Sequence, residues 1–208
     1  LHTFGMDFYR AVGWSSGFSL QRGVVDTSSG TVHRRAVSVS ATHTSPRTEW
    51  STKLEWREDS GAEQRRQWVS TNRVNHKVNE DWRVSARFNY ADTRDYLNAT
   101  AGAKFVEGGI GFAWRPHDNS RYALLGRYTY LYDLTTLGQL SDIDYDQKSH
   151  ILSVEGIYKY DRQWEFAAKL AHREGRARAG RGTGTWFDSG ATFAALQVRY
   201  TLPQQWYA

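Results

Sequence analysis

Cysteine is absent from this chain, so neither a disulfide framework nor a cysteine-based metal site is available to it. That absence suits an exported protein. Long apolar runs are missing too: nothing approaches the ~18 consecutive apolar residues of a transmembrane helix. A helical membrane protein is thereby excluded. A transmembrane β-barrel is not, because alternating strands leave a far weaker hydropathy signal. Clustered basic segments are also scarce. The net charge is +5, from 27 Lys and Arg against 22 Asp and Glu, yet most cations alternate with apolar residues, as in RVSARFNY (83–90) and KSHILSVEGIYKY (148–160). No nucleic-acid partner is therefore expected. The opening LHTFGMDFYRAV (1–12) lacks the basic start, apolar core and small-residue cleavage site of a signal peptide, as a mature or excised segment would.

The chain is rich in aromatics, and its nine Trp and twelve Tyr argue against disorder. In RYALLGRYTYLYDL (121–134) one parity carries Tyr122, Leu124, Tyr128, Tyr130, Tyr132 and Leu134, and the other carries Arg121, Arg127, Thr129 and Asp133. A period of two is a strand signal, since successive side chains point to opposite faces. Strands are expected at 3–12, 14–25, 31–44, 48–58, 64–78, 82–93, 104–115, 121–134, 148–160, 164–174 and 189–202, with a twelfth beginning at Trp206. No segment reads as an amphipathic helix. Many of these runs match the ~9–11 residues a tilted strand needs to cross a bilayer.

The connections alternate in length. Short ones fall at Val12-Gly13, SPR (45–47), NED (79–81), PHDNS (116–120), DRQ (161–163) and PQQ (203–205). Longer ones fall at DTSSG (26–30), DSGAE (59–63), TRDYLNATAG (93–102), TTLGQLSDIDYDQ (135–147) and EGRARAGRGTGTWFD (174–188). Each short turn is followed closely by an aromatic: Trp14, Trp50, Trp82, Tyr122, Trp164 and Trp206, at steps of 36, 32, 40, 42 and 42 residues. All six are expected at one height, as a girdle of the kind that Trp and Tyr form at a membrane interface. On the same parity charge is nearly absent: Val84, Ala86, Phe88 and Tyr90 follow Trp82, and Phe166, Ala168 and Leu170 follow Trp164. Asn72, His43 and His76 are the polar residues that fall on this parity in less regular strands. A soluble sandwich with a shared core would alternate in the same way, and the pattern alone leaves that alternative open.

With its hairpin repeat, its girdle residues and its short and long connections, the chain resembles a bacterial outer-membrane β-barrel along essentially all of residues 1–208. The resemblance extends to the barrel regions of large multi-domain surface proteins. It implies an all-β fold, a single antiparallel up-and-down transmembrane barrel domain with short turns periplasmic and long loops extracellular. Such barrels usually end in a strand with a terminal aromatic, whereas this chain stops at PQQWYA (203–208) as a strand begins. The barrel is therefore expected to continue beyond Ala208. The primary expectation is a membrane anchor for a larger surface or secreted polypeptide. The alternative is a pore or transport barrel with a basic, anion-favouring lumen. The expected partners are outer-membrane lipid and lipopolysaccharide, with other domains of the same polypeptide or a periplasmic or surface protein.

The parity opposite the girdle would line the lumen with Lys53, Glu55, Arg57, Arg83, Arg87, Glu107, Arg115, Arg127, Glu155, Lys159, Glu165, Lys169 and Arg199, joined by Arg73, Lys77, Asp133 and Arg173. Charges of both signs on neighbouring strands can form a cross-strand ladder, and a basic excess can equally favour anions. Asp142, Asp144 and Asp146 alternate along one side of an extended segment and are the one calcium candidate. They lack the glycine and closing glutamate of an EF-hand loop, so loop solvation is the simpler reading. His117, Asp118, Asn119 and Ser120 superficially suggest a His/Ser pair, but these are standard turn residues. His150 and His172 read as interfacial. Arg173, Arg176, Arg178 and Arg181 read as a flexible basic loop. No enzyme activity and no cofactor are expected.

Overall fold

The computed structural model describes residues 2–10, 12–28, 30–96, 100–134, 145–180 and 184–202. Eleven strands run through them: β1 (His2–Arg10), β2 (Trp14–Thr27), β3 (Gly30–Thr44), β4 (Thr48–Gly61), β5 (Arg65–Lys77), β6 (Trp82–Asp95), β7 (Thr100–Trp114), β8 (Tyr122–Leu134), β9 (Tyr145–Lys159), β10 (Trp164–Ala179) and β11 (Phe187–Tyr200). Each is antiparallel to the next in one sheet whose spatial order is the sequence order. The sheet is open, with β1 and β11 at its edges. The described residues contain no helix.

Eleven expected segments thus coincide with eleven strands, but the strands outrun them at the long-connection end. β7 begins at Thr100, β9 at Tyr145, and β10 reaches Ala179. Asp146, Arg176 and Arg178, expected in loops, are therefore paired strand residues, with Arg178 opposite Asp146. The ladder continues past the apolar stretch because backbone N–H and C=O groups need partners whatever side chains they carry. Trp206, Asp142, Asp144 and Arg181 lie outside the described residues.

Short-turn chemistry seats the aromatics that follow. Asn79 Oδ1 accepts from the backbone N–H of Asp81 and of Trp82 at 3.0 and 2.8 Å. Asp161 Oδ1 does the same for Gln163 and Trp164, both at 2.7 Å. In PHDNS the Arg121 N–H donates to Asn119 Oδ1 and the His117 N–H donates to Asp81 Oδ1, at 3.1 and 2.6 Å, which is turn work as expected. Gly13, at φ 84°, passes so close to Thr44 that a β-carbon would sit 2.0 Å from its carbonyl oxygen. Only glycine fits that approach.

The described residues form a single layer. Val32 and Ala36 are the buried hydrophobics, and no second sheet covers the apolar parity. Ile110, Leu152 and Leu170 on that parity remain 63%, 55% and 56% exposed. The sandwich alternative therefore does not describe this chain. The polar parity carries the buried Val32, Ala36, Ser38, Glu55, Thr129 and Ser149. One cavity on that side is lined both by Glu49 of β4 and by Lys169 of β10, six strands away. A flat sheet cannot bring those together, so the sheet curls with its polar parity concave and its aromatic parity convex.

Register also gives the slant. Trp14 and Trp50 lie in one cross-strand row with His43, and that row continues through Val74, Ala86, Ile110, Tyr128 and Leu152 to His172. Trp164 lies eight residues from His172 along β10, eight strand steps from β2. The line of girdle residues therefore drifts one residue per strand against the rows. At ~3.3 Å per residue and ~4.8 Å between strands, that is a strand tilt of about 35° from the normal to the girdle line, within the range of closed barrels. The equal height expected from the sequence is compatible with this register only because the strands are tilted.

Candidate functional site

The concave face is built from small residues and charges in register. Glu55, nearly buried, lies between Lys53 (3.0 Å) and Arg57, which donates to its other oxygen. Glu107 pairs with Arg87 and accepts from Asn89 Nδ2 at 2.9 Å. Glu165 joins Lys159 at 3.7 Å and Arg199 at 3.3 Å, and Glu155 meets Lys169 at 3.8 Å. Arg34 holds both carboxylate oxygens of Asp59, at 2.8 and 3.0 Å. Opposite charges on facing strands stabilise a sheet in the way i,i+4 pairs stabilise a helix.

Five cations expected on this face stand outside the ladder. Among the described residues Arg73, Arg83, Arg115, Arg127 and Arg173 have no ion-pair or side-chain hydrogen-bond partner. Arg83 and Arg127 line the concave cavity of about 730 Å³ with Lys77, Lys169, Glu49 and Glu155, and Arg47 adds a further cation from the adjoining turn. Lys169 is already committed to Glu155 and Lys77 to Glu80, at 3.8 and 2.6 Å. In the adjoining turn the Glu80 carboxyl is held below its ordinary range, first by the hydrogen bond from Lys77 and then by the charge of that ammonium. Arg115 stands one residue past β7, its backbone N–H donating to the Asp81 carbonyl at 2.9 Å.

The remaining sequence candidates are spread out. Asp146 is fully buried on the convex parity and takes the Arg178 guanidinium at 2.6 Å. No group of three metal-ligating side chains occurs among the described residues. His150 Nδ1 bonds the Tyr128 hydroxyl and His172 Nδ1 the Thr192 hydroxyl, 2.7 and 2.8 Å respectively. Both histidines project from the convex face, away from the cavity.

No protein-family model matches the chain, and no curated protein sequence matches it. Solved structures match in architecture. The anion-selective porin from Comamonas acidovorans superposes with a TM-score of 0.56 over 94% of this chain and 57% of the porin, at 11% identity. The outer-membrane channel DcaP of Acinetobacter baumannii gives 0.57 over 95% of this chain and 61% of the channel, at 12% identity. The alcaligin outer-membrane receptor FauA from Bordetella pertussis gives 0.63 over 96% and 38%, at 11% identity. The fold is that of the bacterial outer-membrane β-barrels.

The chain spans 57%, 61% and 38% of the length of those three structures. Its convex aromatics form a more continuous belt than the spacing of the short turns suggests. Trp14 stacks on His43 at 4.3 Å and meets Trp50 at 6.1 Å. Trp82 lies 6.1 Å from Trp114, Tyr122 stacks on Tyr158 at 5.0 Å, and Trp164 lies 4.6 Å from Tyr200. The girdle expected from the residues that follow each short turn leaves out Trp114, Tyr158 and Tyr200, and His43 enters the sequence reading only as a polar residue on that parity. The signal was available: each precedes a short turn at the parity that register places beside a girdle residue.

Proposed function

We propose that this chain forms the membrane-spanning wall of an outer-membrane pore or transport barrel whose lumen favours anions. Support for the span comes from the convex face. Trp14 to Arg22 on β2 and Trp50 to Glu58 on β4 are eight residues, while Trp82 to Asp92 on β6 and Trp164 to Glu174 on β10 are ten. No Lys, Arg, Asp or Glu occupies the convex positions in between. With ~3.3 Å per residue and a tilt near 35°, the uncharged band is roughly 22–27 Å tall, which suits a barrel's ~25 Å lipid-facing zone. In this reading the girdle aromatics lie at the periplasmic interface and the long connections lie outside.

The observation that carries the anion preference is the pair Arg83 and Arg127, which line the concave cavity with no carboxylate partner among the described residues. A pore lined by uncompensated guanidinium groups attracts anions and repels cations. The pore reading has more support than an anchoring role, because the matched structures are a porin, a channel and a receptor and because the ladder leaves these cations free. The test is the reversal potential of the full chain in a planar bilayer under a salt gradient. Anion preference that falls when both residues become Gln (R83Q, R127Q) is expected. Cation preference, unchanged selectivity in the variant, or an absence of conductance overturns the proposal.

A further inference from the structure

On the convex face, at the long-connection end, His2, Arg22, Arg35, Glu58, Arg66 and Arg94 of β1 to β6 occupy one cross-strand row in direct register. Glu58 is the lone carboxylate in that row, and it is committed to Arg66 at 3.0 Å. Arg66 also lies 5.0 Å from the Tyr96 ring, and Arg94 takes Asp92 at 3.7 Å. The other convex cations at this end are likewise engaged. Lys104 lies over Tyr90, Lys148 over Trp186, Arg176 beside Asp188 and Arg178 beside Asp146, at 6.0, 4.7, 2.7 and 2.6 Å. Arg22 and Arg35 are the exceptions: among the described residues neither has a carboxylate, a ring or a hydrogen-bond acceptor.

Yet these two are directly opposite one another, a like-charge cross-strand pair that by itself is unfavourable. They line a cavity of about 230 Å³ with His33 and Ser60, a facing pair on β3 and β4, and with Arg34 between them in sequence. Two guanidinium groups, an imidazole and a hydroxyl around one convex pocket are the donors of a phosphate site, since Arg presents a planar fork to phosphate oxygens. Height selects the source of that phosphate. Arg22 is eight residues from Trp14 along β2, at the upper edge of the uncharged band. That is where lipid headgroups meet a membrane-spanning strand. We propose that Arg22 and Arg35, with His33 and Ser60, bind a phosphate group of lipopolysaccharide in the outer leaflet. This rests on the membrane-spanning reading above and on its placement of the long connections outside.

The probe is lipid A carrying its phosphates, compared with dephosphorylated lipid A and with inorganic phosphate, added to the full chain folded in detergent and read by native mass spectrometry. The expected result is retention of phosphorylated lipid A that falls on the order of tenfold or more in the double variant R22Q, R35Q, and less in R22K, R35K. R10Q, at the opposite end of the convex face, should leave it unchanged. Equal retention of dephosphorylated lipid A, or undiminished retention in the Gln variant, overturns the proposal. Inorganic phosphate competing at equal concentration overturns the lipid source in favour of a free-anion site. Migration of the unboiled and boiled variant on a gel, together with its conductance, separates this failure from failure of the barrel reading: a folded, conducting variant that still binds defeats the site alone.

Discussion

Glu55 is placed where loss of one carboxylate should be felt. Its carboxylate is the shared counter-ion of Lys53 and Arg57, which project from the same side of β4. Glu55→Ala leaves two cations on one side of β4 without the carboxylate between them. Both are about half exposed, so solvent screens much of the repulsion, and a loss of about 1–2 kcal/mol is expected in a urea titration followed by Trp fluorescence. Asn72 shows the opposite economy on the convex face. It accepts from Thr52 Oγ1 at 2.6 Å and donates to Ser70 Oγ and the Phe88 carbonyl at 2.9 and 3.1 Å, so its amide stays satisfied where an unpaired one would be costly. Glu80 supplies a pH dependence with a definite sign. Its folded-state pKa is depressed, so its contribution is present above the unfolded-state pKa and lost as pH falls through the folded value. The wild type should therefore exceed Glu80→Gln in stability at neutral pH by a small, salt-sensitive margin. That margin should vanish in acid, as parallel urea titrations across pH would register.

Each strand carries two faces, and its alternation was legible without any structure. Tyr122, Leu124, Tyr128 and Tyr130 project together because a pleated strand permits nothing else. The sharpest test is a pair of neighbours on β9. Leu152→Arg puts a cation mid-band on the convex face, at a cost of roughly 2–4 kcal/mol, while Ser153→Arg faces the concave side and is tolerated. Folding yield and urea midpoints of the two variants report the difference; equal effects would reverse the faces assigned here. Strand ends were less legible. GRARA (175–179) looks like a loop because glycine and arginine break the apolar rhythm, yet its backbone pairs with Tyr145–Ser149. Phe112 and Gly126 were legible only as separate residues. Register sets them opposite one another, with the Phe112 ring where a β-carbon of residue 126 would lie 2.2 Å away, so an aromatic covers the gap a glycine leaves.

At the scale of the molecule, one open sheet with an uncovered apolar face and a cavity on the other side needs a solvent other than water. In a membrane fraction probed for this chain, unboiled protein should migrate faster than boiled protein, as a folded barrel does. A single heat-independent species free of membrane would remove the spanning reading and the pore with it. The alternation, the spacing of the short turns and the recurring aromatics determined by themselves that this chain is a series of strands, each with one apolar and one polar face, because those properties depend on local strand geometry alone. That the described strands pair in sequence order in one sheet rather than in a sandwich is a property of the tertiary structure. Which charges cancel was decided only in three dimensions. Arg66 finds Glu58, while Arg22 meets Arg35, and Arg83 and Arg127 meet no carboxylate among the described residues. The partner of a side chain is fixed by register and shear across strands far apart in sequence, and neither is written in the residues of any one strand.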